Sequence, residues 1–332
     1  DAITGTLALT NGVNASAISS IYAEYTGTTS TVVATGMSSA QLNAIDGAKV
    51  AASGITGTFT INADVTSTQI TALVAKTAAG ATLTVDATGM SAAQITAVEV
   101  GIAVVDTLTG LTLTSSQSAA EMTDLLGSAA VAANSVSVNA TGMAEAQLVV
   151  VASGVAKIPA NGITGVMSLS TAGLTDGEIG ALLTDASVGA TVTVDAAAMT
   201  AADLTALSTN IAKVDAITNL TITDTQSSAE IGNLLSKASG ATVNAASMDA
   251  TDLGQVAANI GGVGSITNLT LDSTMGADLI SELLGTKTAD ASVDVVATGM
   301  SAAQLNAIGA AIAEIDAITG TLALTNGVNA SA

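Results

Sequence analysis

Short alternating runs recur along this chain. In ATLTVD the apolar Leu83 and Val85 alternate with Thr82, Thr84 and Asp86, and in TNLTITD Leu220 and Ile222 alternate with Thr221 and Thr223. Successive side chains of a strand point to opposite faces, so each run predicts a strand with one buried aliphatic face and one solvated hydroxyl face. The period then changes. Leu204, Leu207, Ile211 and Val214 follow i, i+3, i+7, i+10, as do Leu253, Val256, Ile260 and Val263, and Leu305, Ile308, Ile312 and Ile315. That spacing predicts one apolar face of a four-turn helix. Other segments carry a shorter pattern, as at Met122, Leu125 and Leu126 or Ile231, Leu234 and Leu235, so long and short helices are expected to alternate. Helix starts are marked by SSAQ at 38–41, SAAQ at 91–94 and 301–304, SAAE at 118–121 and SSAE at 227–230. In each, the Ser hydroxyl is placed to accept from the helix and the Gln or Glu to reach back, the form of a capping box.

These elements repeat. Segments such as TVVATGM, TVDATGM and TVNAASM end at Met37, Met90, Met143, Met199, Met248 and Met300, spaced 53, 53, 56, 49 and 52 residues apart. Between them runs a second signature: ITGTFTI from Ile55, LTGLTLT from Leu108, ITGVMSL from Ile163, ITNLTIT from Ile217 and ITNLTLD from Ile266, with further copies at Ile3 and Ile318. Each unit of about 52 residues thus holds two half-units of about 26, a solenoid coil length. Strand, helix and strand in so few residues demand a parallel crossover, and crossovers stepping one way place all helices on one side of one sheet. The expected fold is an α/β right-handed solenoid of about 26-residue strand–helix coils, one parallel sheet with the helices on its other side. A longer period overlies the shorter. Asp1 to Ala17 is identical to Asp316 to Ala332, which implies a 315-residue tandem period; residues 1–332 are expected to form one continuous repeat solenoid whose chain or assembly continues in register.

Composition narrows what such a solenoid could do. Hydrophobic residues make up 49% of the chain but aromatics only 1%, in Tyr22, Tyr25 and Phe59, so the core is aliphatic. Six basic residues, all Lys, stand against 27 acidic ones, a net charge of −21. Nucleic-acid recognition depends on clustered Lys and Arg, so no nucleic-acid partner is expected. No apolar run reaches the roughly eighteen residues of a membrane-crossing helix, so membrane insertion is not expected either.

With no His and no Cys, neither the Ser-His-Asp and Cys-His constellations nor the His-containing metal sites can be assembled. A catalytic carboxylate pair would break the repeat, whereas the acids here recur at repeated offsets; the chain is not expected to be an enzyme, and no cofactor or metal is assigned. The Met series reads as thioethers filling the corner between strand and helix. Asp86, Asn139, Asp195 and Asn244 share one place after the strand, where a calcium ligand and a turn-stabilising side chain are the alternatives, the turn being preferred. The sequons at Asn14, Asn139, Asn219 and Asn268 are short patterns expected by chance in so Thr-rich a chain. The feature singled out for contact or glycosylation is the outward strand row, represented by Thr58, Thr60, Thr82, Thr84, Thr191, Thr193, Thr221 and Thr223.

The runs ITNLTI at 217–222 and LTGLTL at 108–113 resemble the LxxLxL core of leucine-rich repeats, over about six residues per half-unit. The Asn with which that family turns the chain after its strand should lie near Thr225 or Gln117 and is missing. In its scarcity of Pro and aromatics and its long repeats, the chain resembles giant tandem-repeat surface proteins of bacteria. That resemblance implies a structural protein, a segment of a long extracellular fibre, sheath or stalk at the cell surface, whose partner is itself, by self-assembly or continuation of the chain. The alternative is a repeat-built adhesin or binding module whose Thr-rich sheet face meets glycans, a cell surface or ice.

Overall fold

A computed structural model describes residues 2–170, 173–286 and 293–320; most of the second copy of the opening segment, residues 321–332, lies outside them. The chain divides into two compact units, Asp1–Gly165 with Asp185–Gly189, and Val166–Thr184 with Ala190–Ala332.

The expected coil is present in both units. In the first unit, strand Thr82–Asp86 leads through a turn into helix Ala92–Val100, a 3-10 turn at Ile102–Val104 and strand Thr107–Thr109. In the second, strand Thr191–Asp195 leads into helix Ala201–Thr209, a 3-10 turn at Ile211–Lys213 and strand Ala216–Thr218. Strand pairing is parallel throughout the described residues, and strands occur in sets of three: 58–61, 82–86 and 107–109, for example, or 221–222, 241–244 and 263–267. Consecutive helices pack on one another, as 67–74 does on 92–100 and 228–235 on 250–258.

The single sheet expected from the sequence is stepped at one recurring place. In ITGTFTI, Ile55 and Thr56 pair with Val32 and Val33, whereas Thr58–Ile61 pair with the following strand, Thr82–Val85. Between them Gly57 has φ +86, and the same step falls at Gly110, Gly165, Asn219 and Asn268, all with positive φ. A left-handed residue rotates the strand out of its first ladder into the next, and only Gly, or more rarely Asn, holds that conformation at little cost. The second signature therefore serves two ladders, one on each side of its left-handed residue.

Burial follows the alternation. Leu83, Val85, Val192, Val194, Leu220 and Ile222 are at most 2% exposed. The capping boxes at Ser38, Ser91, Ser118, Ser227 and Ser301 all form. The expected four-turn helices do not. Leu204 and Leu207 are buried in the α-helix, but Ile211 opens a 3-10 turn and Val214 caps it. Fourteen α-helical residues would run about 21 Å, against roughly 16 Å for the five-residue strand they must return along, so the helix ends after nine residues and the chain tightens. The α-helices after the Met corners, of five to nine residues, are thus not systematically longer than the others, of eight to ten; the alternation comes from the added 3-10 turn.

Candidate functional site

The hydroxyl face stands where the alternation puts it. Thr58, Thr60, Thr82, Thr191 and Thr221 are exposed and Thr84, Thr193 and Thr223 half-exposed. In the first unit Thr58 lies beside Thr82, and Thr60 beside Thr84, which in turn lies beside Thr107. In the second unit the row is more mixed. Thr191 lies beside Val166, itself 45% exposed, and Thr193 between Ser168 and Ala216, with the Ser168 and Thr193 hydroxyls 3.3 Å apart. Thr221 lies beside Thr242, to whose hydroxyl Ser265 donates at 3.4 Å. Thr223 is past the end of its strand. Its N–H donates to Gln226 Oε1 at 2.9 Å, and its hydroxyl contacts Thr225 and the same Gln226 oxygen. The array is therefore real in patches, broken by Val, Ala and a turn.

A second set of threonines escaped the sequence reading. Thr56, Thr109, Thr164, Thr218, Thr267 and Thr319, the Thr of each IT or LT signature, donate their hydroxyls to Val32, Val85, Val138, Val194, Val243 and Val295 carbonyls at 3.0–3.4 Å. Their own carbonyls accept from Ala34, Ala87, Ala140, Ala196, Ala245 and Ala297 at 2.8–2.9 Å. Each signature Thr thus fastens its strand to the one before, at a point where the neighbouring Ala is buried against it.

The corners take up the residues for which calcium was the alternative. Asp86, Asn139, Asp195 and Asn244 each accept, through Oδ1, the N–H two residues on, at 3.1–3.2 Å. These are side-chain turns of the kind Asx residues favour. The Thr88 hydroxyl and then its N–H hold the Asp86 carboxyl below the ordinary range, and the Asn219 amide and then the Ala197 N–H do the same for Asp195. No group of three or more acidic residues among the described residues is placed to hold a metal. Each corner closes with the Met N–H donating to the Ala three residues back, at 3.0–3.2 Å. Met37, Met248 and Met300 are buried there, and Met90, Met143 and Met199 half-buried.

The step and the corner are matched to one another. Where the corner reads Ala-Thr, at Thr35, Thr88, Thr141 and Thr298, the left-handed residue is Gly57, Gly110, Gly165 or Gly320; where it reads Ala-Ala, at Ala197 and Ala246, it is Asn219 or Asn268. A Cβ on Gly57, Gly110 or Gly320 would lie 2.2–2.4 Å from the Thr hydroxyl, and one on Gly165 would lie 2.2 Å from Asn139 Oδ1. With Ala at the corner that space is free, and the Asn219 and Asn268 amides enter it to donate to Asp195 and Asn244 Oδ1 at 2.9 Å.

Between helices a third device recurs. Gln94 Oε1 caps its own helix by accepting the Ser91 N–H at 2.8 Å, while Nε2 donates to Ala63 and Val65 carbonyls of the preceding half-unit at 2.8 and 2.7 Å. Gln41 clamps Asn11 and Val13 carbonyls in the same way, Gln69 those of Leu42 and Ile45, Gln147 those of Ser115 and Gln117, and Gln304 those of Ser273 and Met275. Where the residue is Glu, it caps and accepts instead: the Thr96 hydroxyl donates to Glu121 Oε1 at 2.7 Å. Lysines join in, Lys49 donating to the Tyr22 carbonyl and Lys157 to those of Ser128 and Val131. Gln117 and Gln226, both buried, accept the strand-end N–H groups of Thr114 and Thr223 and so turn the chain after those strands.

No protein-family model matches this chain, and no curated protein matches it. Among solved structures it is similar to the crystal structure of the leucine-rich repeat-containing protein LegL7 from Legionella pneumophila, with 16% identity over 78% of this chain and 89% of that one, and a TM-score of 0.24.

Proposed function

We propose that this chain is a structural protein, a segment of a long extracellular fibre, sheath or stalk at a cell surface, in which repetition gives reach and the bonds between coils give stiffness. One observation carries this reading. The recurring polar side chains, the five Gln clamps and the six signature threonines, reach from one coil to its neighbour along the described chain instead of converging on one spot. Bonds spread along the repeat in this way support a load-carrying role. The acidic balance, with a net charge of −21, suits a well-hydrated exposed surface. No catalytic role is proposed.

Antibody to the chain, applied to intact cells that make it, should label fibres or a coat outside the cell, and protease added to those cells should release its fragments. Labelling seen only after the cells are opened would overturn the reading.

A second reading keeps the fold and makes the chain an adhesin or binding module that uses the hydroxyl grid at Thr58, Thr60, Thr82, Thr84 and Thr107. Replacing Thr60, Thr84 and Thr107 with Val keeps strand propensity and removes the longer row of the grid. Under this reading the triple variant loses binding to a glycan array or an ice surface that the parent retains; equal behaviour of the two favours the fibre.

A further inference from the structure

An Asn followed by Gly is open to attack by its own chain, because a residue without a Cβ lets its backbone nitrogen reach the amide carbon of the side chain before it. The described residues hold two such pairs, Asn11–Gly12 and Asn161–Gly162; a third, at 326–327, lies outside them. The fold sets the two in opposite situations. Asn161 stands at φ +62 in a turn that Gly162 closes, its N–H donating to the Pro159 carbonyl at 2.8 Å. The attacking nitrogen is therefore held. Gly162 is also enclosed, since a Cβ on it would lie 2.7–2.9 Å from atoms of Pro159 and Ile158. Asn11 and Gly12 are instead the two central residues of a turn closed by their neighbours, the Val13 N–H donating to the Thr10 carbonyl at 3.1 Å. The peptide between the central residues of such a turn takes no part in its closing bond. The Gly12 N–H finds no acceptor among the described residues, Asn11 and Gly12 are both exposed, and a Cβ on Gly12 would meet only Thr10 Oγ1, at 3.7 Å.

We propose that Asn11 is a site of spontaneous modification, at which the Gly12 nitrogen closes a cyclic imide and water reopens it to aspartate or isoaspartate. In the first step the Gly12 nitrogen bonds to Asn11 Cγ, the Cγ–Nδ2 bond breaks, and the proton of the N–H leaves with ammonia. In the second, water adds to one of the two imide carbonyls and the C–N bond there breaks. Opening at Cγ leaves an ordinary aspartate. Opening at the main-chain carbonyl carries the backbone through Cβ and Cγ, one atom longer, and frees the former main-chain carbonyl as a carboxylate. That carbonyl is one of the two that Gln41 Nε2 clamps, Asn11 at 2.8 Å and Val13 at 2.7 Å. Strand Ala8–Thr10, paired with Thr31–Val33, ends just before it, and Asn14 caps helix Ala15–Glu24 just after it. An atom inserted between the two clamped carbonyls changes their spacing, so Gln41 can no longer hold both and the strand pair behind them is loosened. The inference goes beyond the fibre reading and does not depend on it.

The test keeps the full folded chain in mildly alkaline buffer, which favours loss of the attacking N–H proton, and follows it by peptide mass mapping. Conversion of amide to acid at Asn11 should run at least about tenfold faster than at Asn161, where a hydrogen bond must first be surrendered. In denaturant the two rates should draw together, since the dipeptide is the same. Gly12→Ala is compatible with the backbone, as Gly12 is not among the left-handed glycines. That variant should slow conversion at Asn11 and keep the parent's thermal unfolding. Amide exchange at Thr31, whose N–H donates to the Leu7 carbonyl at 2.8 Å, reads the strand pair. It should quicken in the aged parent and stay unchanged in aged Gly12→Ala. Asn161 keeping pace with Asn11 in the folded chain would overturn the site. An aged parent rich in isoaspartate at residue 11, with Thr31 exchanging as in the fresh chain, would overturn its effect on the clamp. Neither result bears on the fibre reading, which the labelling of intact cells decides separately.

Discussion

Gly110 and Asn219 occupy the same step of the repeat and the same left-handed conformation, and what separates them lies 22 residues earlier, in Thr88 and Ala197. The pairing predicts a thermodynamic cycle. Gly110→Asn alone places a side chain against the Thr88 hydroxyl and should destabilise the chain by about 2 kcal/mol, as overpacking does. Adding Thr88→Ala should recover at least about 1 kcal/mol, a coupling readable in denaturant titrations, because the Asn amide then meets Asp86 as Asn219 meets Asp195. Strictly additive effects would show that the two sites do not share the space. Gln94 supports a second test at this scale. Gln94→Glu keeps an acceptor for the Ser91 N–H but sets a carboxylate oxygen against the Ala63 and Val65 carbonyls, which lose their donors. The variant should lose about 2 kcal/mol near neutral pH, and part of the loss should return on acidification, when the carboxyl regains a proton to donate. None of this pairing was legible in the sequence. All six Gly and Asn choices are in plain view, but matching residue 88 to residue 110 needs the strand register. The outward threonines were legible because alternation is a local property. Thr223 was misplaced for the same reason, since TITD continues the alternation past the point where Gln226 ends the strand.

At the scale of elements, helix starts were readable and helix ends were not. A capping box is a four-residue sentence, and every one read from the chain forms. A 3-10 turn has three residues per turn and so preserves an i, i+3 apolar pattern, which makes Ile211 look like a continuation of the helix holding Leu204 and Leu207. The caps also set a pH response. Glu121 is held below the ordinary range by the Thr96 hydroxyl and then the Ser118 N–H, Glu230 by the Thr205 and Ser227 hydroxyls, and Asp249 by the Asp252 and Thr251 N–H groups. A depressed carboxyl stabilises the fold fully above its unfolded pKa and loses that contribution as pH falls through the folded value. Glu99 runs the other way: burial, then the hydrogen bond with Asp124, raises it, so its charged form costs stability near neutrality and the cost fades as pH falls through the raised value toward the ordinary one. Thermal unfolding followed from pH 7 to pH 2 should therefore show melting temperature falling most steeply below about pH 4, under the ordinary carboxylate values. Glu99→Gln should raise the melting temperature near neutrality by about a degree, the size of a small surface-charge effect, and leave the acid limb in place. An acid limb that vanishes in Glu99→Gln would mean that the capping carboxylates are not its source.

At the scale of the whole molecule, the same bonds that tie each coil to its neighbour also limit how far damage can travel. A repeat chain has stability that is close to a sum of coil terms and nearest-neighbour terms, because each coil touches only the coils beside it. Leu220 is 2% exposed and opens the strand set 221–222, 241–244 and 263–267, while the next residue, Thr221, is exposed. Leu220→Asp puts an unpaired charge into the aliphatic core and should cost several kcal/mol, about 3–5 by the usual measure of an uncompensated buried charge, whereas Thr221→Asp should stay within about 0.5 kcal/mol, as surface changes do. Amide hydrogen exchange distinguishes a local lesion from a global one. If coupling runs coil to coil, Leu220→Asp should strip protection from Val243 and Ile266 and their neighbours while Phe59, Leu83 and Leu108, in another strand set of the other unit, exchange as slowly as in the parent. Protection lost equally at Phe59 would show that the 332 residues open as one cooperative block, and a chain of that kind would fail under load all at once instead of coil by coil.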